Sequence, residues 1–159
     1  MTLWVGQHVW NLRSGRSFKR STRCFEKARG RLGLRVIEFS VLGNHLHLIV
    51  EADSNEALSR GMQGLCIRIA KTLNTLMNLS GRVFADHYHS RLLRTPTELV
   101  NAIRYVLENF AHHFGKGARD PYSSARCDRE ALLATPVSWL LRVGRWRAKP
   151  ALDPSGPAG

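Results

Sequence analysis

Gly43-Asn44-His45-Leu46-His47-Leu48-Ile49-Val50-Glu51 is the stretch from which the rest of the chain can be read. As a strand it alternates faces with period two, so His45, His47, Ile49 and Glu51 point one way while Leu46, Leu48 and Val50 point the other. The second set is apolar enough to lie on a core. That fixes the register and leaves two imidazoles paired on the accessible side of the sheet. Two strand histidines can simply be solvated, and His-x-His alone recurs by chance, so the pair is at this point two ligands in search of a site.

Working outward, Leu34 to Leu42 alternates Arg35, Ile37, Phe39 and Val41 against Leu34, Val36, Glu38 and Ser40, and Gly43-Asn44 turns it into the histidine strand as a hairpin. Upstream, Thr2 to Val5 reads as a short strand. A helix is predicted from Ser17 as cap, along Phe18, Thr22, Phe25, Ala28 or Arg29, and Leu32, to a stop at Gly33. Downstream, Asp53 with Glu56 starts a long helix whose stripe is Leu58, Met62, Leu65, Ile69, Leu73 and Leu76, stopping near Ser80-Gly81. Gly61 and Gly64 inside it each weaken it by about 1 kcal/mol relative to alanine, which predicts close approach of another backbone. Arg82 to Arg94 supplies a loop and a further strand.

Thr95-Pro96-Thr97-Glu98 is a capping box with proline at the first helical position. Leu99, Ala102, Ile103, Val106, Phe110 and Phe114 make the buried stripe of this last helix, with Gly115 at its end. Its polar flank carries Asn101, Tyr105, Asn109 and His112, and Tyr105 and Asn109, four apart, face the same neighbour. The order strand, helix, strand, strand, helix, strand is that of an α+β fold with a ferredoxin-like antiparallel βαββαβ sheet, helices on one face. The additional helix can then lie on the open face and bring Tyr105 and Asn109 to His45 and His47. The organisation predicted is a domain over 1–125 and a basic C-terminal segment over 126–159, disordered from Pro150 to Gly159.

Composition narrows the partners. In 159 residues, 24 Lys and Arg against 12 Asp and Glu give a formal charge of +12, which points to a polyanion, nucleic acid before any other. No apolar run is long enough to cross a bilayer, no signal-peptide pattern opens the chain, and three separated cysteines make neither a disulfide framework nor a zinc knuckle. The expectation is a cytoplasmic, nucleoid-associated protein with no membrane partner.

With these residues in place, G-N-H-L-H-L-I-V before a long helix, then G-R-V-F-A-D-H-Y-H-S-R, then R-Y-V-L-E-N-F, the chain resembles the REP-associated tyrosine transposases, within the single-tyrosine HUH transposases. The resemblance covers about residues 1 to 125. It implies that His45 and His47 bind a divalent metal, that Tyr105 attacks single-stranded DNA to form a 5′ phosphotyrosine link, and that Asn109, one turn later, gives the third ligand. Phe110 stands where many distant relatives have proline.

The chemistry is sound on its own terms. A phenol with a pKa near ~10 is a poor nucleophile at neutral pH, and a cation on the scissile phosphate raises its electrophilicity. Two imidazoles and an amide oxygen, without thiolate, suit Mg²⁺ or Mn²⁺. Arg82, Arg91 and Arg94 are candidates for DNA phosphates, and Phe84 or Tyr88 for stacking a base, against ordinary surface roles for each. His87, His89, His112 and His113 read as solvent-exposed. Two other classes stay open: a non-catalytic nucleic-acid-binding module on the same sheet, and a zinc-using hydrolase, which lacks a third strong ligand at zinc spacing. The partner expected is single-stranded or hairpin DNA, with a homodimer left open.

Overall fold

The computed structural model describes residues 1–114 and 120–148, with 109–114 as backbone only. Its centre is the hairpin: β2 (Leu34–Val41) runs antiparallel to β3 (His45–Ala52), and Leu42 N donates to His45 O across the turn. β1 (Thr2–Trp4) pairs antiparallel with the other edge of β3, giving the sheet order β1-β3-β2. Leu46 and Leu48, fully buried, face a core with Leu3, Val36, Phe39 and Val41 from the sheet. The core is closed by Phe25 of α1 (Gly15–Ala28) and by Met62, Leu65, Ile69 and Leu73 of α2 (Asn55–Met77). The opposite face carries a second, smaller cluster. There Ile37 and Ile49 meet Leu99 and Val106 of α3 (Pro96–Phe114) and Leu141 of α5 (Trp139–Arg142). The protein is therefore mixed α+β, with helices on both sides of a three-stranded antiparallel sheet. No helix among the described residues is long and apolar enough to cross a membrane.

Several elements differ from the sequence expectation. α1 begins earlier, with Ser14 accepting from Ser17 N as the cap, and ends at Ala28; Leu32 is 55% exposed. Positive φ at Gly30, Leu32 and Gly33 turns the chain away before the stripe can reach Leu32. In β2 a bulge between Val36 and Glu38 shifts the alternation. Leu34, Val36, Phe39 and Val41 thus share the main core, while Ile37 goes to the second cluster. α2 is capped by Ser54, not Asp53, whose carboxylate pairs with Arg35; it closes on Asn78 in the left-handed region. Gly61 is a point of close approach, to the Leu34 side chain instead of a backbone, whereas a Cβ on Gly64 would meet only Leu32 Cδ1 at 3.9 Å.

The strand expected within Arg82 to Arg94 is reduced to two isolated bridges, Thr2 of β1 with His89 and Val5, the residue after β1, with Phe84. Between them Asp86 Oδ1 takes the next backbone N–H, that of His87, at 2.7 Å, and the segment bows out. The capping box forms as read: Glu98 N donates to Thr95 Oγ1 and Thr95 N to Glu98 Oε2, both at 3.2 Å. Phe110 and Phe114 of the predicted stripe, His112, His113, the Gly115 stop and the segment from Pro150 lie outside the described residues or side chains.

From residue 120 on the chain is held by ion pairs, by hydrogen bonds to carboxylates and by a backbone bridge of Ser123 with Ser40 of β2. Arg13 grips buried Asp120 with both guanidinium nitrogens at 2.8 and 3.0 Å. Arg129 at the start of α4 (Arg129–Leu132) reaches Glu38, which is 3% exposed and also accepts from Ser124. Glu51 accepts the N–H groups of Val137 and Ser138 at 2.8 and 2.7 Å, tying the start of α5 to β3. A turn of 3-10 helix, Gly144–Trp146, follows and packs with α5 against α3.

Candidate active site

The β1-β3 register puts Thr2 opposite His47 and Trp4 opposite His45, so four side chains of one sheet face meet in two cross-strand pairs. Trp4 stacks on His45 with ring centroids 4.1 Å apart and 28° between planes. Thr2 Oγ1 lies 3.0 Å from His47 Nδ1, and Asn44 Oδ1 lies 2.8 Å from His45 Nδ1. With their Nδ1 atoms so engaged, the two rings turn their Nε2 atoms toward each other at 3.2 Å. His47 is 5% exposed. Burial, then the neighbouring His45 and the amino terminus, pull its pKa down to about 4, and burial lowers that of His45. Both imidazoles are therefore neutral at pH 7, the form in which imidazole binds metals.

α3 crosses this face because its stripe, Leu99 and Val106, buries against Ile37 and Ile49. The crossing lays Tyr105 beside His47, ring centroids 5.2 Å apart at 66°, with the tyrosine 58% exposed. Its hydroxyl can thus be met by a ligand from solvent while its ring is held against the pair. Asn109 follows one turn later on the same helix, and its side chain lies outside those described. Among the described residues no third His, Cys, Asp or Glu joins the pair. Two metal–nitrogen bonds of about 2.1 Å span about 3.0 Å at a right angle and about 3.4 Å at a tetrahedral one, so a separation of 3.2 Å suits two ligands of one cation.

The candidate DNA contacts are more dispersed. Arg82, Arg91 and Arg94 are exposed; Arg91 pairs with Glu98 at 3.1 Å, and the Arg94 backbone N–H serves the same carboxylate. Phe84 and Tyr88 are half-buried against the main core, Phe84 beside β1. A cleft of about 740 Å³ lined by Arg29, Arg35, Arg129 and Arg145 lies elsewhere, between the α1–β2 loop and the C-terminal segment. Arg35 and Arg129 there are already paired with carboxylates.

Thr2, Trp4 and the side chain of Asn44 escaped the sequence reading as members of the site. Asn44 was legible only as a turn residue, and the role of Thr2 and Trp4 depends on strand order, which no local pattern carries. No protein-family model, no curated protein and no solved structure matches this chain.

Proposed function

We propose that the protein is a metal-dependent single-strand DNA endonuclease and strand transferase, transposase-like, that cleaves near hairpin repeats through a phosphotyrosine intermediate. The observation that carries the reading is the meeting of Tyr105, from a helix capped and packed by its own signals, with a histidine pair whose Nε2 atoms converge. His45 and His47 would hold Mg²⁺ or Mn²⁺, with Asn109 as third ligand. When bound, the ion supplies Lewis-acid neutralisation of the scissile phosphate. Tyr105 Oη attacks phosphorus as its proton passes to solvent, the phosphorus–O3′ bond breaks, the 3′ oxygen takes a proton from solvent and leaves as a free hydroxyl, and the bond energy is kept in the phosphotyrosine link for rejoining. The excess of arginine supports a polyanionic partner, and the paired edges of β1 with Phe84 and His89 suit a ferredoxin-like βαββαβ sheet whose fourth strand is broken.

Incubated with a single-stranded hairpin and Mn²⁺, the wild-type protein should yield a detergent-resistant DNA adduct on Tyr105. Tyr105→Phe should bind the DNA and form none. A second reading, a binding module without catalysis, is favoured by one observation: the hydrogen bonds of the histidine pair are complete without a cation. Failure of wild type to cleave any hairpin from its own genome would make that the better account.

A further inference from the structure

We infer that Thr2 is a positioning residue for His47, and that Thr2, His47, His45 and Asn44 form a proton-ordered chain of hydrogen bonds which a cation must open. The order follows from what each atom can do. Asn44 Oδ1 only accepts, so the 2.8 Å contact requires the proton of His45 on Nδ1 and leaves its Nε2 a bare lone pair. The approach of the two Nε2 atoms to 3.2 Å is then a hydrogen bond only if His47 carries its proton on Nε2. A neutral imidazole has one N–H, so His47 Nδ1 is bare and accepts from the Thr2 hydroxyl at 3.0 Å. Every link is satisfied.

The cation invoked in the functional reading, on which this inference rests for its second half, needs lone pairs on both Nε2 atoms. His45 offers one already. His47 has to give up its Nε2 proton to water and take one at Nδ1, with no net change in protons, and Thr2 has to turn from donor to acceptor at the same contact. A hydroxyl is the side-chain group that does both. The Thr2 backbone is fixed on either side, by β3 and by exchange of hydrogen bonds with His89 at 2.9 and 3.0 Å, so the oxygen stays in place while its proton swings. Thr2→Val keeps the shape and can do neither; Thr2→Ser can do both.

The test uses the full chain with ¹⁵N-labelled histidine, read by NMR with Mg²⁺ as the probe and by calorimetry with Mn²⁺. Metal-free wild type should show His47 as the Nε2–H tautomer and His45 as Nδ1–H, and saturation with Mg²⁺ should move the His47 proton to Nδ1. Thr2→Val should lose the metal-free His47 tautomer preference and bind Mn²⁺ about tenfold or more weakly, and Thr2→Ser should stay within about twofold of wild type, with equal thermal midpoints and hairpin binding throughout. Wild-type Mn²⁺ affinity in Thr2→Val, or His47 as Nδ1–H in the metal-free protein, overturns the inference. If no histidine signal of the wild type responds to Mg²⁺, the opening step falls together with the metal reading, and the metal-free tautomers of wild type and Thr2→Val then decide the role of Thr2 alone.

Discussion

Gly61 and Gly64 occupy successive turns of α2, and replacing each by alanine should move stability in opposite directions. In a helix interior alanine is favoured over glycine by about 1 kcal/mol, so both substitutions start with that gain. At Gly64 nothing opposes it, because the new methyl would meet only the flexible end of Leu32 at 3.9 Å. Gly64→Ala should therefore stabilise by about 1 kcal/mol. At Gly61 the methyl would fall inside the envelope of Leu34 Cβ, with Leu34 Cγ at 3.1 Å and Cδ2 at 3.0 Å. A Cβ cannot swing aside without its strand, and Leu34 is the first residue of β2 and 2% exposed. Overpacking costs about 1–3 kcal/mol, and a clash this close against a strand Cβ belongs to the upper part of that range, about 2–3, so that after the helical gain Gly61→Ala is left destabilised by about 1–2 kcal/mol. For a chain of this size the two variants should melt roughly 4–12 °C apart, read by circular dichroism with urea titrations for the free energies. Gly61→Ala at or above wild-type stability would refute the packing of α2 on β2 described above.

Glu51 sits partly in the interior, which by itself raises its pKa, yet hydrogen bonds from Ser138, Val137 and Arg35 outweigh burial and hold it at about 2, below the ordinary 4.5. Because the folded value is depressed, its contribution is complete above about pH 4.5 and is lost as pH falls toward 2; Glu51→Gln should flatten the stability profile in that window, followed by unfolding at stepped pH, and an unchanged profile would remove the tie between β3 and α5. Arg129→Met strands the carboxylate of Glu38 in the interior and should cost about 3–5 kcal/mol, most of it recovered on adding Glu38→Gln, with chemical unfolding of the single and double variants as the check. Affinity for hairpin or single-stranded DNA should fall with salt at a log-log slope of about −0.7 per phosphate neutralised, and a flat dependence in a binding titration counts against a DNA partner. His45→Ala and His47→Ala should each abolish Mn²⁺-dependent cleavage, and Asn109→Ala should weaken it; cleavage that survives chelation would exclude the metal.

What could be read in advance was what neighbouring residues decide among themselves. The β2-β3 hairpin follows from Gly43-Asn44 between two alternating runs, and the start of α3 follows from Thr95 and Glu98 exchanging hydrogen bonds over three residues. Tyr105 reached His47 because a stripe through Leu99, Ala102, Ile103 and Val106 on a helix with one open sheet face to cover has few other places to go. The end of α1 is not legible from periodicity, because the Leu32 spacing is helical while its backbone, between Gly30 and Gly33, is not. The bulge in β2 was invisible because Val36, Ile37 and Glu38 contain no turn former, and what pulls Glu38 into place is Arg129, 91 residues away. Thr2 and Trp4 were hidden for the same reason, since they come to the histidines from β1 at the edge of the sheet, more than forty residues away in the chain.

That bulge gives the α3-covered face of β2 one more apolar side chain, Ile37, than the pairing of the sheet requires. Ahead of it, Arg35 faces Glu51; after it, Ser40 lies opposite His47. Deleting Ile37 would leave Glu38, Phe39, Ser40 and Val41 opposite Ile49, Leu48, His47 and Leu46 as before, with Phe39 and Val41 still in the main core and Ser40 still on the histidine side; what is lost is the Ile37 side chain from the second cluster. The extra residue is thus spare for the pairing of the sheet and matters instead to the packing of α3: a descendant without it would keep the hairpin and its two faces and give up an apolar contact with Leu99 and Val106.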